Sequence, residues 1–298
     1  MKLALIVAIW KRHDLEQITL DRFREQSIKF GFEIIVAGSE GKVSKNLAKR
    51  CHYIEIENNP VSNKHNAMLT KAKQLNVDGV VLVGSDCLLS DGFWKHIYKQ
   101  NPRSENIVGL KDAYFYSTRT EELGYWKGYA GGSQSVGGGR FFSRFVLDKC
   151  GWKLWDNDLN KGLDTNCSRK LKSLKIGDKA HEMEDVNAYI VDVKHSYSIT
   201  SWRIIGGCEI VDKQIMAKRV TKKVVDKVDK LDKFVEPIVE PVVEPVVNLG
   251  YVPKDPDEIV DFRSNGVYKP FGKEIHTMSR ATAVILTRKG YGQIIESK

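Results

Sequence analysis

An aspartate that ends a wholly apolar strand is where side-chain chemistry is hardest to avoid in this sequence. Val80-Val81-Leu82-Val83 runs into Gly84-Ser85-Asp86, and a carboxylate there is costly unless water or a cation solvates it. A hard divalent cation shared between this oxygen and a diphosphate would meet that cost. A turn aspartate or a helix N-cap before Leu88-Leu89 is the plainer alternative, and Asp91, ahead of Gly92-Phe93-Trp94, reads as a cap. The first apolar run ends in the bulky, basic turn Ala8-Ile9-Trp10-Lys11-Arg12. A nucleobase could stack on that turn while Arg12 faces phosphates; an exposed basic turn before a helix is the other reading. The sequence has no GxGxxG after the first strand and no GxxxxGK[ST], GxSxG or HExxH, which removes the common dinucleotide, P-loop, hydrolase and zincin patterns.

These side chains require elements that bring them to one place. Leu3–Ile9 reads as a buried strand, and Leu15, Ile18, Phe23 and Ile28 give helical spacing over Leu15–Phe30, closed by Gly31. Phe32–Ala37 is a second strand that ends in Gly38-Ser39-Glu40-Gly41. Tyr53–Ile56 is a third strand, Ser62–Leu75 a helix, and Gly79–Val83 a fourth strand. This alternation predicts an α/β fold with a mostly parallel twisted sheet and helices on both faces. Ligands of such sheets lie beyond the carboxyl ends of the strands, which is where each Gly/Ser/acid cluster falls.

The chain has 298 residues, 42% hydrophobic and 29% charged, with 47 basic against 38 acidic residues. That composition excludes collagen-like, wholly disordered and disulfide-scaffold classes. Five scattered cysteines with no CxxC pair fit reduced thiols and a cytoplasmic protein. No apolar run reaches the ~18–20 residues of a membrane span, and the apolar start is followed at once by Lys11-Arg12-His13-Asp14, which disfavours a signal peptide. Three zones are expected: a body over 1–211, a Lys/Val-rich and Val-Glu-Pro-repeat linker over 212–249, and a small β-rich module over 250–298. In the linker, proline at every fourth position, Pro237, Pro241 and Pro245, forbids helix and central strand. In the module, Val267–Gly272 reads as a hairpin, Ala283–Leu286 as a strand-like run and Ser279–Lys289 as helically spaced.

Further segments add to the pattern: Asn59-Pro60-Val61-Ser62-Asn63-Lys64-His65-Asn66-Ala67, Gly138-Gly139-Arg140-Phe141-Phe142-Ser143-Arg144, Gly162-Leu163-Asp164-Thr165-Asn166-Cys167-Ser168-Arg169 and Val193-Lys194-His195. Together with the turn at Ala8–Arg12, Gly38-Ser39-Glu40 and Val83-Gly84-Ser85-Asp86, their order resembles the glycosyltransferases of the GT-A fold over residues 1–205. The likeness is greatest to the family 2-like group of bacteria and phages. The resemblance implies a nucleotide-diphosphate sugar donor, contacted by Ala8, Trp10, Arg12, Glu40, Lys64, Asn66, Ser85 and Asp86. It implies Mn2+ or Mg2+ on Asp86, with His195 completing the metal shell, and Asp164 as the base that deprotonates the acceptor. Cys87 and Leu88 stand where the family pattern carries its second carboxylate, and Leu163 where it carries a glutamate before the base. Read from the residues alone, Asp164 is equally an N-cap for a helix Thr165–Leu174.

The glycine-dense stretch Gly124–Arg144 reads as a mobile or closely approached loop. Arg140 and Arg144 could grip a phosphate or sugar hydroxyls there, and Trp155 could stack on a sugar face or pack in a core. The acceptor implied is a glycan, a lipid-linked or protein acceptor, or, given the basic charge, hydroxymethylated phage DNA. A nucleotidyltransferase and a non-catalytic phage structural or binding protein with a degenerate transferase domain are the alternatives. The terminal module would dock a partner, oligomerise, or be a tether without chemistry.

Overall fold

The computed structural model describes residues 1–129, 134–195 and 208–231, and three backbone strands beyond them. The chain divides into two compact units, Met1–Glu236 and Pro237–Lys298. The first begins with β1 (Leu3–Ala8), α1 (His13–Phe30), β2 (Glu33–Gly38), α2 (Lys42–Leu47), β3 (His52–Glu55), α3 (Val61–Gln74), β4 (Gly79–Gly84), β5 (Cys87–Leu89) and α4 (Asp91–Tyr98). It continues with β6 (Ile107–Leu110), β7 (Ala113–Ser117), β8 (Leu123–Trp126), β9 (Arg140–Ser143), α5 (Arg144–Lys149), α6 (Leu163–Ser173), β10 (Asp178–His181), α7 (Met183–Val186), β11 (Ile190–Lys194), β12 (Cys208–Val211), α8 (Gln214–Arg219) and α9 (Lys222–Val228).

The central sheet runs β10-β6-β9-β4-β1-β2-β3. β4, β1, β2 and β3 are parallel, and only β9 runs against its neighbours β4 and β6. Alternation along β1 shows why the sheet sits at the centre. Leu3, Leu5 and Val7 join one hydrophobic cluster and Ala4 and Ile6 the other. Leu15, Leu20 and Phe23 of α1 cover the first face; Met68 and Leu69 of α3, Val146 of α5 and Leu171 of α6 cover the second. Each such large apolar side chain stabilises the fold by ~1.5–3 kcal/mol on burial. The expected α/β sheet with helices on both faces is therefore observed.

A second sheet, β12-β8-β7-β11-β5, was not anticipated. Its residues Leu88, Tyr114, Phe115, Tyr116, Val191 and Val193 lie in the same cluster as α1. β5 pairs with β11 antiparallel, setting Asp192 opposite Cys87. The Lys/Val-rich stretch expected to be linker from 212 is structured instead over Gln214–Val228. Met216 of α8 and Val224, Val225 and Val228 of α9 are buried in the first cluster. A 3.6-residue apolar period hidden among the lysines accounts for it. Asp91 is not a cap: Ser90 accepts from the Phe93 amide at 3.1 Å, and Asp91 binds Arg22 and Lys29.

In the second unit, β13 (Ile259–Ser264) pairs antiparallel with both β14 (Ile275–Ser279) and β15 (Gly292–Ile295). The Val-Glu-Pro repeat, the 267–272 hairpin and the 280–289 segment lie outside the described residues. Among the described residues, no helix is long and apolar enough to cross a membrane.

Candidate functional site

The site forms beyond the carboxyl ends of β1 and β4, and its shape begins with the β1–α1 turn. Two carboxylates grip that turn by its backbone: the Trp10 amide donates to Glu16 at 2.6 Å and the Lys11 amide to Glu40 at 2.9 Å. Lys11 takes a left-handed conformation, φ 60°, a strain that non-glycine residues adopt only where surroundings enforce it. Glu16 is fully buried on the inner face of α1. Burial pushes its carboxyl up, while the Trp10 amide, Arg12 and Ser85 pull it down. The result is a turn fixed in backbone, with Arg12 free to project across the end of β4.

Arg12 pairs with Asp86 and donates to the Ser85 hydroxyl at 3.0 Å. Ser85 is held in turn, donating to Glu16 at 3.2 Å while its carbonyl accepts from Thr19 at 2.8 Å. The antiparallel register of β5 and β11 then brings in a second carboxylate. Ligand atoms of Asp86, Cys87 and Asp192 all lie within 4.8 Å of one another. Burial alone would raise Asp86, but Arg12 and Lys194 hold it below the usual carboxylate range. Asp192 is raised, first by burial and then by the charge on Asp86, with Lys194 opposing. Lys194 Nζ lies 2.8 Å from both Asp192 oxygens but is directed at Oδ2, leaving Oδ1 buried without a hydrogen bond.

That donor set fits a hard divalent cation. Two carboxylates bring their oxygens within 4.8 Å of one another, which is the oxygen-donor arrangement such an ion takes. The Cys87 thiol is raised well above its usual range, chiefly by burial and then by Asp192 and Asp86, so it stays protonated and is a poor ligand. Asp192 was missed in the sequence, although an acid inside Ile190-Val191-Asp192-Val193 gives the signal that drew attention to Asp86. His195 follows β11 directly, three residues beyond Asp192, and is not part of that three-residue group.

A cavity of about 560 Å³ opens beside these charges, lined by Ala8, Trp10, Arg12, Asn58 and Asn160 among others. Glu40 stands next to it, holding Lys11 and, at 2.9 Å, His13. Lys64 serves this cavity from behind. It is fully buried and donates to the Ile9 carbonyl, Ser39 and Asn58 at 3.0, 3.0 and 2.8 Å. Burial lowers its ammonium to about 8, against the pull of Glu16, Glu40 and Glu55. Its three protons are committed, so Lys64 shapes the pocket wall instead of reaching a ligand.

Four other expectations are revised. Asn66 ties α3 to the backbone of Trp155 at 2.9 Å and is not among the residues that line this cavity. Trp155 is 1% exposed and packs against His65, so no ring face is left for a sugar. Arg144 binds Asp148, Asn76 and the Val77 carbonyl at the amino end of β4, roughly 20 Å of strand away from Asp86. Arg140 is 1% exposed and spends its guanidinium on Ser135, at 3.1 and 2.6 Å, and on Asp164 at 3.1 Å. It positions Asp164; it does not grip a phosphate.

Asp164 lies in the first turn of α6, whose N-cap is Gly162, and its side chain is 50% exposed. Two consecutive glycines connect it to the carboxylate pair. A Cβ at Gly137 would strike the Asp164 carboxylate at 2.6 Å, and one at Gly138 would lie 3.4 Å from Cys87 Sγ. Adjacent Cα atoms are 3.8 Å apart, so Asp164 and Cys87 sit within roughly 13 Å of one another. The glycine-dense segment is thus closely approached, as its composition predicts. Residues 130–133 of it lie outside the described set.

No protein-family model and no curated protein matches the chain. Among solved structures, it is similar to the catalytic domain of Drosophila β1,4-galactosyltransferase 7 in complex with xylobiose. That match has 12% identity and a TM-score of 0.43, and covers 74% of this chain and 80% of that one. It is similar to a Pyrobaculum calidifontis mannosyltransferase in complex with GDP-mannose and Mn2+ (16% identity, TM-score 0.44, 68% of this chain and 59% of that one). It is also similar to a cytidylyltransferase from Leptospira borgpetersenii (14% identity, TM-score 0.41, 78% and 94%).

Proposed function

We propose that the chain is a glycosyltransferase that moves a sugar from a nucleotide-diphosphate donor to an acceptor hydroxyl, with a divalent cation and with inversion at the anomeric carbon. One observation carries this reading: Asp86, in the turn after β4, and Asp192, on β11, bring carboxylate oxygens within 4.8 Å of one another, and Arg12, paired with Asp86, lines an open cavity at the carboxyl end of the sheet. A cation of the Mn2+ or Mg2+ kind, when bound, would offset the charge that builds on the departing diphosphate. Asp86 and Asp192 would hold it. Trp10 and Asn58 offer a stacking face and an amide to the nucleoside, and Arg12 a guanidinium to the phosphates. Asp164, steadied by Arg140, takes the proton of the acceptor hydroxyl as its oxygen bonds to the anomeric carbon and the bond to the diphosphate oxygen breaks.

The test is a thermal-shift series with UDP, GDP and their sugar conjugates, each with and without Mn2+, followed by nucleotide release from whichever conjugate stabilises the protein. The reading expects a shift that needs nucleotide and Mn2+ together, and its loss in Asp86→Asn and Asp192→Asn. A nucleotide-dependent shift indifferent to Mn2+ and to both substitutions would overturn the metal role. Release of pyrophosphate from a nucleoside triphosphate, with no transfer from any sugar conjugate, would favour a nucleotidyltransferase.

A further inference from the structure

We infer that Arg12 is an exchangeable cation: it holds Asp86 in the absence of ligands, gives that carboxylate up to the divalent ion, and passes to the donor's diphosphate. The inference rests on the metal reading above and adds an order of events and an opposite-signed consequence. Asp86 and Asp192 carry two negative charges, and Arg12 and Lys194 answer them with two positive ones. These four charges cancel one another while Arg12 stays on Asp86. The guanidinium occupies Asp86 Oδ2 and so competes with a divalent ion for that carboxylate. Once the ion displaces it, the site gains two positive charges and a released guanidinium together, which is what a diphosphate needs.

The surroundings single out Arg12 as the mobile partner. Its backbone neighbours are pinned by Glu16 and Glu40, so the exchange needs only side-chain rotation. Arg12 also lines the 560 Å³ cavity, and Lys194 does not. Lys194 is committed to Asp192 and lies over the Phe115 ring, 5.4 Å from its centroid. Ser85, the other Arg12 acceptor, keeps Glu16 as a partner when the guanidinium leaves.

The experiment measures free Mn2+ by electron paramagnetic resonance in titrations of wild type, Arg12→Gln, Arg12→Lys, Asp86→Asn and the Arg12→Gln/Asp86→Asn double variant, alone and with UDP or GDP. Circular dichroism first checks that each is folded. Couplings of this kind are ~5–150-fold. Without nucleotide, Arg12→Gln should bind Mn2+ at least about fivefold more tightly than wild type. At saturating Mn2+ it should bind the nucleoside diphosphate about tenfold more weakly. Arg12→Lys, one ammonium that cannot span Asp86 and Ser85, should fall between. Unchanged or weaker Mn2+ binding in Arg12→Gln, with Asp86→Asn still abolishing it, overturns the exchange and leaves the metal site standing. Tight Mn2+ binding that survives in the double variant places the ion elsewhere and overturns both. No Mn2+ binding in wild type or in Arg12→Gln removes the metal reading and the exchange with it.

Discussion

Replacing Asp164 by Asn separates a chemical role from a structural one, because the structure predicts very different sizes for the two effects. The side chain is half exposed and receives one charged contact, from Arg140 at 3.1 Å. Exposed pairs are worth ~0–1 kcal/mol, and a carboxylate in a helix's first turn adds ~0.3–1 kcal/mol. Arg140 is buried, but it keeps both bonds to Ser135, and the Asn oxygen can still accept from it. The expected loss of stability is therefore about 1 kcal/mol, or ~2–4 °C in melting temperature for a unit of this size. A general base contributes ~10²–10⁴-fold to rate. Nucleotide release from the stabilising sugar conjugate, with water or a sugar alcohol as acceptor, should fall by about that factor. The melting temperature should barely move. Release within a few-fold of wild type would refute the assignment of Asp164 as base. A melting temperature that falls by more than ~10 °C would show that Asp164 is a structural residue whose loss unfolds the site.

Cys87→Ser should leave the Mn2+-dependent nucleotide shift intact, because the thiol is already protonated, whereas Asp192→Asn should weaken Mn2+ binding by about a hundredfold in the same titration. Trp155→Ala should cost ~3–5 kcal/mol in denaturant unfolding with nucleotide affinity of the folded protein unchanged, since the ring is in the core. His96 is lowered to about 4 by burial and then by His181, Lys99 and Lys179. Between its unfolded value near 6.5 and about 4 the unfolded chain takes a proton that the folded chain refuses, so stability falls as pH drops through that window. With solvent screening the loss is about 1–2 kcal/mol; urea midpoints at pH 7.5 and 5 should show it, and His96→Gln should flatten the difference.

Periodicity was enough to read the parallel half of the fold. β1, β2, β3 and β4 are bounded within a residue or two of their apolar runs, and α1 stops at Gly31, whose φ of 77° ends a helix without strain. The second sheet was illegible because its strands are only three to five residues long and their partners are fixed by long-range pairing. α8 and α9 were hidden for a related reason: lysines dominate the composition, and only the spacing of Met216, Val220, Val224 and Val228 carries the buried stripe. Arg140 and Arg144 are four apart in one motif, yet β9 ends between them and sends them to opposite ends of β4. No one-dimensional reading of that motif separates them.

The site itself follows the same division. Asp86 could be found because its cost is local: an acid at the end of an apolar strand needs a partner whatever the rest of the chain does. Asp192 has the same local signature, but its meaning depends on register, since pairing of Asp192 with Cys87 is what sets the two carboxylates together. Shifting β11 by one residue would turn Asp192 to the other face and bring Val191 or Val193 in its place. On the proposed reading, the second carboxylate that is absent at Leu88 is supplied by Asp192. Leu88 is fully buried in the core, where an acid would be costly, and β11 delivers the acid from across the sheet instead. It follows that a substitution restoring the sequence pattern, Leu88→Asp, should destabilise the protein by several kcal/mol without rescuing Mn2+ binding in Asp192→Asn. A folded double variant that regains Mn2+ binding would show that the position along the strand, and not the register across it, determines the site.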